Sequence, residues 1–251
     1  MADATEVPSA GAADYKVWQL ALKNRNVSIG GVLLILIVLT AIVGPFLTAD
    51  PVALNPINRL KPPGSAGWFG TDMLGRDVFS RVVNGARVSL IVGLAVATIA
   101  VAIGLFLGLI AGYFRLMDAI VMRVMDGLMS IPGILLAIAM ISLTGATLAT
   151  VVAAIVIPEI PRVVRLVRSV VLTVREEPYV EAAISVGTPT PLIMIRHVLP
   201  NTIAPMIVQA TYICASAMLT EAILGFLGAG IPPEIPSWGN IMSEGRTFFQ
   251  L

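Results

Sequence analysis

One histidine, one cysteine and very few charges set the first limits on this chain. Only 12% of its 251 residues are Asp, Glu, Lys or Arg, while 57% are hydrophobic; soluble domains carry about 25% charged residues. A water-soluble domain is therefore excluded. His197 and Cys214 have no second His or Cys beside them, and no His/Asp/Ser or metal-ligand cluster falls on the apolar runs. Hydrolytic chemistry and a metal centre thus lack their usual side chains. Cys214 has no partner for an internal disulfide, and its apolar neighbours make it an inert, buried thiol. Gly70 to Gly75 superficially resembles a phosphate-binding loop, but that chemistry needs Gly-Lys-Ser/Thr, and Arg76-Asp77 follows instead. The chain has no nucleotide site of its own. No basic patch stands clear of the apolar runs, so nothing points to nucleic acid.

What the chain does have is apolar length. Four nearly charge-free runs cover Asn26 to Ala49, Val88 to Phe114, Gly127 to Pro158, and His197 to Thr220. A bilayer-crossing helix needs about 20 apolar residues, which each run supplies. The third is too long for one span and, with its flanks from Asp118 to Val163, makes two helices broken near Gly145. The fold class expected is an all-α polytopic membrane protein with spans at about 28–47, 88–112, 120–143, 147–165 and 202–228. Residues 1–27 form a polar N-terminal segment. A cleaved signal peptide over 23–49 is the competing reading, but its apolar core is too long and no A-x-A-like site follows. An uncleaved anchor is expected.

Basic residues orient the chain. With the N-terminus inside, Lys16, Lys23, Arg25, Arg115, Arg123, Arg162, Arg165, Arg168, Arg175 and Arg196 are cytoplasmic. Arg59, Lys61, Arg76, Arg81, Arg87 and Arg246 lie outside, a split of 10 to 6 that follows the positive-inside rule. Parity then places the polar segment 175–200 in the cytoplasm.

That segment is the most informative part of the sequence. Pro178 suits the first position of a helix, and Glu176 and Glu177 just ahead complement its positive dipole end. Tyr179, Ala182, Ala183 and Val186 fall at i, i+3, i+4 and i+7, one apolar stripe about two turns long. Gly187 fits the left-handed residue that stops the helix. Thr190-Pro191 then reads as an N-cap and first helical residue of a second helix up to Pro200. A stripe made mostly of alanine lets another surface approach the backbone closely; a plain helical hairpin lying on the membrane has the same pattern.

Other residues invite a reading. Val78, Phe79, Val82, Val83 and Ala86 recur at helical spacing, with Asp77, Ser80, Arg81, Asn84 and Arg87 on other faces. This pattern suits an amphipathic helix in the outer interface, within a loop over 48–87. Ionisable groups near spans carry function more often than elsewhere. Glu159, between Pro158 and Pro161, is placed near the cytoplasmic end of span four, within reach of Arg162 or Arg165. Asp118, Arg123 and Asp126 enter span three, where Arg123 can snorkel and pair locally. Glu221 lies toward the outer end of span five, either satisfied by a neighbouring helix or facing a path or a second subunit. Gly104, Gly108 and Gly112 share one helix face, for contact inside or between subunits, and Pro132-Gly133 offers a kink.

Three motifs carry a resemblance. The first is Glu181-Ala182-Ala183, Gly187 and Leu199-Pro200, running into His197-Val198-Leu199-Pro200-Asn201. The second is Gly70-Thr71-Asp72, Gly75-Arg76-Asp77, Ser80-Arg81, Gly85-Ala86-Arg87 and Ser89-Leu90. The third is Glu221, Gly225-Phe226-Leu227-Gly228 and Pro236-Ser237-Trp238-Gly239. Together they cover residues 29–251 and resemble ABC importer permease subunits of the dipeptide/oligopeptide/nickel branch, the DppC/OppC type. His197 stands where that family usually has Ile. The resemblance implies a type I transmembrane domain over 88–251, with a sixth span beyond the end of this sequence. It implies that Tyr179, Glu181, Ala182, Ala183, Gly187, Leu199 and Pro200 form a coupling segment entering a cleft of a cytoplasmic ATPase. It also implies an outer gate or translocation path involving Arg76, Asp77, Arg81 and Glu221. Implied partners are a second homologous permease subunit (DppB/OppB-like), two ATP-binding subunits, a periplasmic or lipid-anchored substrate-binding protein, and membrane lipid. Cofactors are none in this chain, with ATP and Mg in the ATPase subunits. The implied location is the bacterial inner membrane, and the implied cargo is di- or oligopeptides, with nickel, opines or sugars as alternatives. From another class, an ion-coupled secondary carrier would show inverted repeats with broken helices and a carboxylate at the membrane centre; the sequence displays neither plainly.

Overall fold

The computed structural model describes residues 23–64 and 66–246; most of the expected N-terminal segment, 1–22, lies outside them. Among the described residues there is no β-strand, only one isolated bridge between Thr71 and Asp77. The helices are α1 (Arg25–Leu47), α2 (Val78–Tyr113), α3 (Arg115–Met129), α4 (Gly133–Thr144), α5 (Leu148–Arg175), α6 (Pro178–Ser185), α7 (Thr190–Ile193), α8 (Leu199–Phe226) and α9 (Trp238–Arg246). A five-residue π-helical turn, Met194–Val198, joins α7 to α8.

Length and composition alone mark three helical stretches as able to cross a membrane: Arg25–Leu47, Val78–Tyr113 and Thr190–Phe226. The pair α3 and α4 makes a fourth if it counts as one span, but it is bent by 85°. The span expected over 120–143 falls on these two helices, bent at the Pro132-Gly133 kink. Pro132 has no N–H to extend the α3 ladder, and the Ser130 hydroxyl donates to the Gly127 carbonyl at 2.7 Å, closing α3 before α4 turns away. The fourth expected span is α5, which extends to Arg175 and not to about 165. Its 28 residues reach about 42 Å, ample for a core of about 30 Å. Glu159, Arg162 and Arg165 keep it from reading as a span on composition. Thr147 and Thr150 start it with a reciprocal cap: the Thr150 N–H donates to Thr147 Oγ1 at 3.1 Å and the Thr147 N–H to Thr150 Oγ1 at 2.9 Å.

Such a polar helix sits in the bilayer because other helices surround it. Val151, Ala154, Val163, Val164, Val167 and Val171 of α5 are wholly buried, and its most extensive contact is with α2. That contact is backbone-close. A Cβ built on Gly104, Gly108 or Gly112 would stand 2.4, 2.7 or 2.6 Å from the Cβ of Val163, Val167 or Val171. The glycine face thus packs inside the subunit, one small residue per turn against one valine per turn. Toward the Arg175 end of α5, Arg168 holds Asp118 with Nη2 to Oδ2 at 2.7 Å, and Arg165 holds Asp126 at 2.7 Å. Arg175 Nη1 donates to the Tyr113 carbonyl at 3.1 Å. These arginines lash α3 and the end of α2 to α5, while Arg123 is exposed.

The separate interfacial helix expected in the 48–87 loop is also corrected. Asp77 caps α2 by accepting the Ser80 N–H at 3.0 Å, and the helix runs unbroken for 36 residues, about 54 Å. Its amphipathic start is the part that projects past the hydrocarbon. By contrast α1 buries only Ala41 and leaves its Leu, Ile and Val side chains outward, as a lipid-facing helix does.

Replacing Gly108 with Leu drives a side chain into Val167 and the Val164 carbonyl. Overpacking of this kind costs about 1–3 kcal/mol, so the variant should melt several degrees lower in detergent, read by thermal unfolding. An unchanged transition would mean that α2 and α5 approach less closely than described.

Candidate functional site

The segment 175–200 is built by backbone geometry before any side chain matters. Glu177 is the N-cap and Pro178 the first residue of α6. The helix ends in a Schellman closure: the Gly187 N–H donates to the Ile184 carbonyl at 2.9 Å and the Thr188 N–H to the Ala183 carbonyl at 3.0 Å. Gly187 has φ +82°, the left-handed conformation that glycine adopts without strain. A Cβ there would meet nothing within 4 Å, so glycine is needed for its dihedral and not for space.

The predicted stripe faces outward. Tyr179 is 44% and Val186 is 85% exposed, Ala182 is exposed and Ala183 half-buried. One residue outside the stripe anchors the helix: Val180 is completely buried, in a cluster that includes Ile193 and Val198. Glu181 is exposed. The second helix does not stop at Pro200. Pro200 cannot donate back to the Arg196 carbonyl, and the Leu199 N–H reaches five residues back to Met194. The result is the π turn, after which α8 continues to Phe226. Half-buried Leu199 and exposed Pro200 open α8 at this point.

Asn201 closes the segment, a role that sequence reasoning missed. Its Nδ2 donates to the His197 carbonyl at 2.6 Å and to the Tyr179 hydroxyl at 3.2 Å. The rings of Tyr179 and His197 lie 5.9 Å apart. The signal was a hydrogen-bonding side chain four residues after His197 and next to a proline that disturbs the ladder.

At the other end, the loop before α2 turns on Asp72. Its Oδ1 accepts the Leu74 and Arg76 N–H groups at 2.8 and 2.9 Å. Its Oδ2 lies 2.6 Å from Arg76 Nε and 3.7 Å from Arg81 Nε. Glu244 of α9 completes a cluster, 3.0 Å from Arg76 Nη2 and 2.8 Å from Arg81 Nη2. Arg76 and Arg81 are thus brought together, whereas Asp77 serves as the α2 cap. Asp72 and Glu244 were missed as their partners; Glu244 stands more than 160 residues away along the chain. Glu221 is wholly buried inside the subunit and does not reach its surface. The Ser89 hydroxyl donates to Glu221 Oε2 at 3.2 Å. Nearby, the Trp238 indole N–H donates to the Val82 carbonyl at 3.1 Å. Gly239 lies so close that its Cβ would be 2.9 Å from the Ala222 Cα. The Gly225 and Trp238-Gly239 motifs are thereby the seam that clasps α9 to α8 and α2.

Glu159 pairs with Arg162, whose Nη1 stands 3.1 and 3.2 Å from its two oxygens. Because α5 runs to Arg175, Glu159 lies about 16 Å from the Leu148 end of the helix and about 24 Å from the Arg175 end.

The described residues thus form a helical bundle with several spans apolar enough to cross a membrane, an exposed short helix at one end and a clasped cap at the other. The family described as "Binding-protein-dependent transport system inner membrane component" matches residues 100–250. The family described as "N-terminal TM domain of oligopeptide transport permease C" matches 16–63. A protein of Sinorhizobium fredii named "Probable peptide ABC transporter permease protein" is 52% identical over 94% of this chain and 81% of its own length. The dipeptide transport system permease protein of Alkalihalophilus pseudofirmus is 44% identical over 91% and 76%. The oligopeptide transport system permease protein of Bacillus subtilis is 34% identical over 97% and 82%. The chain belongs to the inner-membrane components of binding-protein-dependent transport systems, and is a permease subunit of an ABC importer. The ion-coupled carrier reading is set aside by that membership.

Removing Glu244 takes one of two carboxylates from both Arg76 and Arg81 and leaves them Asp72 alone; the Arg81 side chain is only 1% exposed. Breaking a buried pair costs about 3–5 kcal/mol. Glu244→Ala should therefore loosen α9 and speed proteolysis of the 231–246 region, and Arg81→Met, which leaves no uncompensated cation, should do so less. Equal sensitivity in the two variants would remove the cluster from the cap's support.

Proposed function

We propose that this subunit forms half of a peptide-conducting pathway and takes its energy from cytoplasmic ATPases through α6. The observation that carries the reading is the geometry of α6. It is closed by backbone hydrogen bonds, fixed to its own subunit by Val180, and otherwise shows its apolar side to the outside. A helix that buries one side chain at home has its remaining contact surface available to a partner. Tyr179, Glu181, Ala182, Ala183 and Gly187 form this docking segment, and Leu199 and Pro200 form the joint behind it.

The linkage to the membrane is short on both sides. Arg175, the last residue of α5, precedes α6 by two residues, and α7, the π turn and α8 form one helical path from Thr190 to Phe226. Two ATP-binding subunits, holding ATP and Mg, would close together and draw the docked helices with them. α5 and α8 would then move as rigid bodies between inward- and outward-facing arrangements, each stabilised by its own contacts. The remaining partners are a second homologous permease and a periplasmic or lipid-anchored binding protein that delivers cargo. The N-terminus is cytoplasmic, and this chain carries out no catalysis. Peptides are the cargo favoured by the relatives, whose names specify peptide, dipeptide and oligopeptide transport.

Purification from gently solubilised native membranes should recover one homologous permease and a pair of ATPases, identified by mass spectrometry. Gly187→Pro forces φ to about −65° where +82° is required. It should leave membrane insertion intact while separating ATP hydrolysis from uptake, lowering transport at least tenfold. Normal uptake by that variant would remove α6 from the coupling role.

A further inference from the structure

Among the ion pairs of the described residues on α5, Glu159–Arg162 is the one that holds no two helices together. Arg165 and Arg168 tie α5 to α3, and Arg76 and Arg81 tie the outer loop to α9. Glu159 and Arg162 are three residues apart on the same helix, so their contact joins α5 only to itself. Charges at membrane depth are rare without a task, and holding the fold is not the task here.

The surroundings indicate another. The pair lines a cavity of about 390 Å³ formed where the 85° break between α3 and α4 faces α5 and α8. Ligand pockets begin at about 300 Å³. Pro132, Ala137 and Ile155 give it apolar walls, Ser216 and Thr220 place hydroxyl-bearing residues on α8, and α2 contributes no residue. Gly133 lets α4 start hard against Pro158, where a Cβ would stand 3.1 Å from that ring. The break is thus seated on the turn that presents Glu159. Within the cavity the carboxylate is 9% exposed, whereas the Arg162 side chain is 47% exposed. One nitrogen, Nη1, serves both carboxylate oxygens, and among the described residues no other group holds the guanidinium. A fork–fork pair would use two nitrogens and be harder to exchange.

We propose that this cavity is part of the route taken by the peptide, and that Glu159 and Arg162 exchange partners with its charges. An ammonium of the passing peptide, terminal or on a lysine, replaces Arg162 on Glu159. A carboxylate, terminal or on an acidic side chain, replaces Glu159 on Arg162, so that a peptide with an excess of one charge depends most on the partner of opposite sign. Two ion pairs then stand where one internal pair and one zwitterion stood, and no net charge is moved into the bilayer. When the peptide leaves, the internal pair re-forms and the site is again neutral. The inference rests on the peptide-importer reading and adds to it the residues that sense cargo charge.

The test uses the complete transporter, with its second permease, ATPases and binding protein, in proteoliposomes. The probes are radiolabelled Ala-Ala-Ala, Ala-Glu-Ala and Ala-Lys-Ala. Arg162→Gln should lower ATP-dependent uptake of Ala-Glu-Ala about tenfold relative to Ala-Lys-Ala, about the effect of one lost charged hydrogen bond. Glu159→Gln should shift the ratio in the opposite direction. The double variant Glu159→Gln/Arg162→Gln leaves no lone charge to misfold the helix, and should handle acidic and basic probes alike. Because the binding protein is the same in every assay, its own preference cancels in these ratios. Unchanged ratios in all variants, or equal losses for all probes, overturn the proposal while leaving the importer intact. A double variant that fails to assemble makes the pair a folding element and overturns it too. A native complex that moves no peptide defeats the peptide reading itself, and this inference with it.

Discussion

The rest of the structure depends on how closely α2 and α5 approach. Lipid tails are as apolar as leucine, so helices in a bilayer are not driven together by escape from water. They associate where backbones come near enough for dense contact. Gly104, Gly108 and Gly112 against Val163, Val167 and Val171 provide that along two turns. With α5 held against α2, the other helices surround it, and a helix too charged to face lipid becomes the centre of the bundle. Everything of functional interest hangs from it: the pair at its middle, the arginines that lash α3, and the docking helix just beyond its end.

The two ends of the subunit are held by different physics. At the outer end the cap is fixed by buried charge and by glycines that bring backbone onto backbone, with Asp72 organising a turn and two arginines at once. At the inner end α6 is fixed by backbone hydrogen bonds and one buried valine. The outer end is thus sensitive to loss of any member of its cluster, while the inner end tolerates many changes and is sensitive at Gly187. One end of the subunit is thus firmly clasped and the other, at α6, lightly tethered.

What could be read beforehand was whatever local punctuation announces. Pro178, Gly187 and Pro191 bracketed the docking segment, and the small residues of α2 marked a packing face, because glycine and proline act on their own dihedrals. What could not be read was set at a distance. Pro132 announced a bend but not its 85°, which is fixed by the seat that Pro158 offers. The Arg76–Arg81 cluster needed Glu244, over 160 residues on. The length of α5 was not legible either: burial in the bundle lets the helix carry its arginines ten residues beyond 165.

The Schellman closure of α6 has one more consequence. The end of this helix is written in the backbone and in a single glycine, and of its outward side chains only Tyr179 is tied back, by Asn201. Form and surface chemistry are therefore independent variables here. Ala182, Ile184 and Val186 can drift in step with whatever surface they meet, while the angle at which the helix is presented stays constant. Subunits built this way can exchange partners over evolutionary time without rebuilding the joint.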